Sequence, residues 1–278
     1  SYVLATLLRL FGSTQDEPTA RVAFIWAFPL AVLCAIFLTI DLGQPMRFWH
    51  MLINTTPGAA GLNFKAWSPI SIGSWALLLF SVFSFVSFLE VLGKRGTDRS
   101  VAGGMVIWNV LGSLVALFLA SYTGVVLSVS NQPVWSDSYS IGGLFVASAL
   151  SGSAAFLGWM SRYRTDDALP TEARLAQADS YFVLLELIMI ASFFTTLATA
   201  GELWRELAAP WVIGWIVIVA SCIPPLLALG GGRRVRYAAS GGAAAAVRVV
   251  AGVNLLGALG VIIGVLILRF VVIFSAQF

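Results

Sequence analysis

Charge is what this sequence has least of. Only 10% of its 278 residues are Asp, Glu, Lys or Arg, whereas 59% belong to the apolar set and the mean hydropathy is +0.91. Soluble domains carry about 25% charged residues, so a chain this poor in charge cannot cover a water-exposed globule, and an integral membrane protein is expected. Histidine is scarcer still: His50 stands alone. A b-type haem buried between helices needs two axial imidazoles, so bis-histidine haem is excluded within this chain. Metal sites of the HExxH, histidine-triad or carboxylate-cage kind fail on the same shortage, and no GxxxxGK[ST] or GxGxxG phosphate cradle occurs. The two cysteines, Cys34 and Cys222, each lie inside an apolar run with no CxxC spacing, which offers no iron–sulfur motif and no disulfide framework; both are expected to be core thiols. The net charge of +3 comes without a basic patch interleaved with aromatics, which argues against nucleic acid and leaves the usual excess of basic residues in cytoplasmic loops.

What is abundant is apolar sequence in lengths that fit a bilayer. A spanning helix needs about 20 apolar residues, and such runs fall at roughly 20–41, 69–92, 101–129, 140–161, 180–203, 210–230 and 245–275. Ahead of them Ser1 to Phe11 is helix-like but only about half a span long, and reads as the second half of a first helix or as a short interfacial helix. The expected fold is therefore an all-α membrane protein of eight helices, the first incomplete, treated as one domain over 1–278.

Alternating the connections between the two sides places Arg9, Arg21, Lys94, Arg95, Arg99, Arg162, Arg164, Arg174, Arg233, Arg234, Arg236 and Arg248 on one side and Arg47, Lys65, Arg205 and Arg269 on the other. The richer side is cytoplasmic by the positive-inside bias. The Leu42 to Ser68 connection, the Asn131 to Tyr139 loop and the Glu202 to Glu206 turn then face the periplasm or its equivalent. The first of these is the longest and carries Phe48-Trp49-His50 and Pro57-Gly58-Ala59-Ala60-Gly61; long loops are commonly functional, and Trp49 also suits an interfacial aromatic belt. Gly257, Gly260 and Gly264 form a small-residue face for close helix packing.

Ionisable residues inside spans cost about 2.5 to 3.5 kcal/mol each at the centre, so each requires a reason. Asp41, Tyr122 and Arg269 come to the same side as the loop bearing Arg47 and His50, which suggests a polar pocket at the outer leaflet; capping by Asp41 and Arg47 with snorkelling of Arg269 is the plainer account. Glu186 lies within Leu184-Leu185-Glu186-Leu187-Ile188, where no loop explains it. It is expected to be protonated by desolvation, to pair with Arg248, or to reach Asn109 or Asn254, as a proton relay or as a structural bridge. Glu90 and Asp179 read as solvated helix ends.

The segment Asp41-Leu42-Gly43-Gln44-Pro45-Met46-Arg47-Phe48-Trp49 resembles the DLGxPxRF/W segment of the NrfD/PsrC family, quinone-reactive membrane subunits of iron–sulfur and molybdopterin oxidoreductases. Trp67-Ser68-Pro69-Ile70-Ser71-Ile72-Gly73-Ser74-Trp75 resembles the family's SPMSxGxW segment, with Ile70 where Met is more usual, and Ser121-Tyr122-Thr123-Gly124-Val125-Val126-Leu127-Ser128 resembles its YTGxLLS. Pro133-Val134-Trp135, Ser148-Ala149-Leu150-Ser151-Gly152, Leu185-Glu186-Leu187 and Leu268-Arg269-Phe270 fit in the same order.

The resemblance implies eight spanning helices in two four-helix bundles, no haem or iron–sulfur cluster in this chain, and a quinone, menaquinone or ubiquinone, bound near the outer face of a bacterial inner membrane. It implies Tyr122 as hydrogen-bond partner of a quinone carbonyl and Asp41 as proton exchanger, with Arg47, His50 and Trp67 around them. Glu186, Arg248 and Arg269 become candidates for a proton track. Expected partners are a ferredoxin-like iron–sulfur subunit, a molybdopterin catalytic subunit or multihaem cytochromes, and lipid. A quinol-oxidising subunit of an alternative complex III is the related alternative. A secondary transporter or channel is the alternative of another class, for which Pro29 and the Pro224-Pro225 pair supply helix breaks but no inverted repeat is visible.

Overall fold

The computed structural model describes residues 1–58, 61–93, 103–162, 169–238 and 244–277, without the side chains of 162, 169, 170, 173, 228–238 and 244–255. The helices are α1 (Tyr2–Phe11), α2 (Glu17–Asp41), α3 (Pro69–Gly93), α4 (Gly103–Ser128), α5 (Pro133–Ser136), α6 (Ile141–Arg162), α7 (Leu169–Ala200), α8 (Leu203–Leu207), α9 (Trp211–Ala238) and α10 (Ala244–Ser275). Among the described residues six helical segments are long and apolar enough to cross a membrane, and Tyr2–Phe11 and Trp211–Leu227 are shorter apolar helices. The protein is thus an all-α, multi-pass membrane protein. Many large apolar side chains, such as Ile36, Phe37, Ile216 and Leu266, lie on the outside, where lipid rather than water is the compatible solvent.

The chain divides into two compact units, Ser1–Tyr122 and Thr123–Phe278. In the first, α2 packs on α1 and α3. Ala20, Ala23, Ala27 and Ala31 repeat every three or four residues along one face of α2 and are all buried, so small side chains let the backbones approach closely where no hydrophobic driving force between helices operates. The α2 to α3 connection is not irregular throughout. Pro45–Met51 forms a 3-10 helix, and two short strands, β1 (Ile53–Asn54) and β2 (Gly61–Leu62), pair antiparallel with Ile53 opposite Leu62.

In the second unit, α6, α7, α9 and α10 surround a core of Ile141, Leu144, Phe145, Ile190, Phe193, Leu197, Trp215, Ile218, Leu268, Val271 and Val272. Val134 of α5 joins this core, and Trp135 donates its indole N–H to the Val272 carbonyl at 2.7 Å. The Pro224-Pro225 pair lies inside α9 and the helix continues past it. Neither proline has an amide proton to donate, so the Ala220 and Ser221 carbonyls one turn earlier lose their helical donors, and a partner helix braces the segment: Ser180 Oγ of α7 donates to the Pro225 carbonyl at 2.6 Å. Of the small-residue face on α10, Gly257 meets Pro224 and Gly264 meets Ser221, whereas Gly260 faces open space.

Two expectations are corrected here. Cys222 is buried as expected, but Cys34 is exposed on the outside of α2, because the apolar run that contains it is a lipid-facing stripe rather than a core. Glu90 is not a solvated helix end: its side chain is 9% exposed and bonded to Arg9 at 2.8 Å. Arg9 also bonds Glu17 at 2.8 Å and lies over the Phe24 ring, so it is not a free loop cation. Arg21 donates to the Val91 carbonyl, and together these contacts bring the end of α1, the start of α2 and the end of α3 to one place.

Candidate functional site

The opposite end of that first unit holds most of the residues singled out by sequence. Pro69 opens α3 with its φ already helical, and Tyr122 lies near the C-terminus of α4. The Tyr122 hydroxyl donates to the Pro69 carbonyl. Its ring lies against Gly73, where a β-carbon would fall 2.5 Å from Cε1 and Cζ. A side chain at position 73 would therefore expel the ring, and this explains in physical terms why a glycine stands in the Trp67 to Trp75 segment.

Asn63, which the sequence motifs do not mark, ties the loop to the same helix end. Its amide N–H donates to Leu52, its side-chain amide donates to the His50 carbonyl at 2.9 Å, and its own carbonyl accepts from Ser71 Oγ and Trp75 Nε1, each at 3.2 Å. Ser71 accepts in turn from the Lys65 amide. An asparagine with four such bonds fixes backbone that no helix or sheet ladder would satisfy. The signal available in sequence was weak: a lone Asn between Gly61-Leu62 and an aromatic pair.

His50 stacks on Trp49 with ring centroids 3.8 Å apart, and its Nδ1 lies 3.2 Å from the Arg47 carbonyl. Asp41, Arg47 and Trp67 are exposed, and among the described residues their side chains make no hydrogen bond or ion pair. The structure thus links the His50 loop, the α3 start and Tyr122 into one constellation, and leaves Asp41, Arg47 and Trp67 on its open surface.

The second unit contains a different cluster. Asp179 and Glu186 lie two turns apart on α7, hence on one face, and both are buried. Asp179 was expected to be a solvated helix end; it is enclosed because α7 begins at Leu169, well ahead of the apolar run. Ser151 of α6 donates to Asp179 at 3.2 Å. Arg269 lies over the Phe145 ring at 4.7 Å, donates to the Phe145 carbonyl at 3.4 Å, and acts electrostatically on Glu186. Of the expected partners of Glu186, Asn109 is instead engaged with Ser87 and Tyr2 in the first unit, and the side chains of Arg248 and Asn254 lie outside the described residues.

Glu206, in α8 outside the spans, was not singled out. It is fully buried, accepting from Trp215 Nε1 at 2.8 Å and Ser275 Oγ at 2.6 Å. Burial pushes its carboxyl above the ordinary range while these two donors pull the other way.

The sequence model of the family described as polysulphide reductase, NrfD, matches residues 1–278. The chain belongs to the NrfD family. It is 30% identical to a tetrathionate reductase subunit of Salmonella typhimurium over 203 residues, covering 70% of this chain and 55% of that relative. It is also 29% identical to a selenate reductase subunit of Mesobacillus selenatarsenatis over 91 residues, 33% of this chain and 18% of that relative. This NrfD-family chain therefore aligns with about half or less of the length of either curated relative. Among the described residues no group of three or more His, Cys, Asp or Glu side chains is arranged to hold a metal ion.

Proposed function

We propose that this NrfD-family chain is the quinone-reactive membrane subunit of a respiratory reductase complex. In this reading 1–278 is one domain of eight spanning helices in two four-helix bundles, set in a bacterial inner membrane with the quinone site toward the periplasm. The observation that carries it is the seat of Tyr122 on the start of α3. The three segments that resemble the family's motifs are separated by long stretches of chain, yet the Asn63 and Tyr122 contacts link two of them directly and the third through His50. Both relatives are named as reductase subunits, which supports a place in a multisubunit reductase.

Quinone redox chemistry couples two electrons to two protons, so the site needs groups that exchange hydrogen bonds as the oxygens change charge. Tyr122 supplies one such group. Asp41, exposed at the end of α2 and unpaired among the described residues, exchanges the proton, with Arg47, His50 and Trp67 bordering the headgroup. This chain has no redox centre of its own in this reading, and electrons pass to a ferredoxin-like iron–sulfur partner and onward to a molybdopterin subunit or multihaem cytochromes.

The polar group in the second unit favours a companion role. Asp179, which accepts from the Ser151 hydroxyl, and Glu186 are buried on one face of α7, a placement suited to a proton track, with Arg269 setting the charge and Arg248 extending it.

Purification of the assembled complex with its native lipids, followed by mass spectrometry of the proteins and of the extracted quinones, tests the assignment. An iron–sulfur subunit recovered together with quinone is the expected result. A chain recovered alone and without quinone, from membranes solubilised gently enough to keep other respiratory complexes whole, would overturn it.

A further inference from the structure

The 3-10 helix Pro45–Met51 carries Arg47, Trp49 and His50, yet none of its residues is buried. A short helix without a buried apolar face has little packing to hold it in place, so its position depends on hydrogen bonds. Among the described residues, the one side-chain hydrogen bond that reaches this segment from elsewhere is that of the Asn63 amide on the His50 carbonyl, at 2.9 Å. Asn63 is itself firmly seated. Its backbone N–H extends the β1–β2 pairing by one rung, donating to the Leu52 carbonyl at 2.8 Å. Its carbonyl accepts from Ser71 and Trp75 of α3. Buried Ser71 also accepts from the Lys65 amide at 3.1 Å, and Phe64 meets Trp75 edge to face at 6.3 Å. The backbone of 63–65 is thus fastened to the first turns of α3, and the Asn63 side chain carries that anchorage on to His50. There a carbonyl oxygen only accepts, so the contact between His50 Nδ1 and the Arg47 carbonyl places a ring proton on Nδ1, while stacking on Trp49 fixes the ring plane.

We infer that Asn63 is a positioning residue for the quinone site: its side-chain amide sets where Arg47, Trp49 and His50 stand relative to the start of α3, and with it the tautomer that His50 presents. The inference rests on the quinone-site reading above. It adds to that site a residue that acts through His50 rather than by touching the ligand.

The test uses the purified full-length chain, without a histidine tag and labelled with imidazole-15N histidine. His50 is the only histidine, so one pair of ring nitrogen signals reports its tautomer in mildly alkaline buffer. Affinity for menadione is read on the same samples by quenching of tryptophan fluorescence. Asn63→Ala removes the amide, and Asn63→Asp keeps its shape but, ionised, cannot donate; both leave the three backbone bonds of residue 63 in place. The parent should show the proton on Nδ1. Both variants should shift it toward Nε2, the tautomer that a free imidazole side chain prefers in water, and should weaken menadione binding by about 2- to 12-fold, the worth of one neutral hydrogen bond. Ring signals and affinity unchanged in either variant would overturn the inference, and so would weaker binding with the ring signals unmoved. Backbone amide exchange in α6 is the folding control, and failure of both variants to fold would make Asn63 part of the fold and overturn the inference as well. A parent that binds no menadione, while its His50 signals still respond to Asn63→Ala, would instead overturn the quinone-site reading and uphold the positioning of His50.

Discussion

Glu17 and Glu90 in the first unit share the guanidinium of Arg9, with both contacts at 2.8 Å and the cation lying over Phe24. Asp179 in the second unit accepts from the hydroxyl of Ser151, Glu186 is buried two turns along the same helix face, and among the described residues no ion pair reaches either carboxyl. Both are pairs of buried acids on apolar helices. They differ in what neutralises them. A planar fork between two carboxylates is bound in a fixed geometry and has no vacancy for a proton to enter cheaply. A hydroxyl brings no charge to a carboxylate, and a neutral acid is a stable alternative to a buried anion. The first cluster is built as a clasp joining the ends of α1, α2 and α3; the second keeps the freedom that proton transfer requires.

The largest expected effect breaks the clasp. Arg9→Ala leaves two carboxylates buried without their cation, and removal of one partner from such a pair costs about 3 to 5 kcal/mol. The variant should be poorly recovered from membranes and should melt far below the parent in detergent. If it melts with the parent, the clasp is not structural and the contrast fails.

Glu186→Gln should act oppositely. The amide keeps the volume and no ion pair among the described residues is lost, so the stability change should stay within about 1 kcal/mol, while proton uptake coupled to quinone-linked turnover in proteoliposomes is lost. Loss of assembly with coupling intact in the surviving complex would mark Glu186 as a structural bridge and make the two clusters equivalent. Applying the same Gln substitution to Glu90 sharpens the difference, since there the cost should appear in melting rather than in coupling.

How much of this was legible in sequence depends on the range of the interaction. The runs at 69–92 and 140–161 match α3 (Pro69–Gly93) and α6 (Ile141–Arg162), and the half-length start matches α1 (Tyr2–Phe11), because spanning helices are set by local hydropathy. The run at 180–203 misses the start of α7 at Leu169, since polar helix beyond the apolar stretch leaves no hydropathy signal. Partnerships were not legible. Arg9 with Glu90, Tyr122 with Pro69, and Asn63 with His50 and Trp75 join residues far apart or in irregular backbone, and no periodicity encodes them. Motif resemblance indicated Tyr122 and Gly73 as separate features; that one exists to admit the other is a fact of packing.

The smallest expected effect concerns Glu206, a single buried carboxyl in the connection between α7 and α9. Its folded-state affinity for the proton is raised by burial, whereas in the unfolded chain it titrates near about 4.3. A raised folded value means that the native state holds the proton more tightly, so its contribution to stability is complete below the unfolded value and is lost as pH rises from there through the folded one. The slope from one such group is at most about 1.4 kcal/mol per pH unit. Melting in detergent should therefore soften as pH is raised across that window, and Glu206→Gln, which stays neutral, can accept from Trp215 at its one carbonyl oxygen and can donate its amide to the Ser275 hydroxyl, should flatten the dependence. The two donors stabilise the anion and oppose burial, so a parent profile already flat would mean that they cancel the desolvation, and that Glu206 is held as a charged acceptor pinning α9 and α10 rather than as a neutral acid.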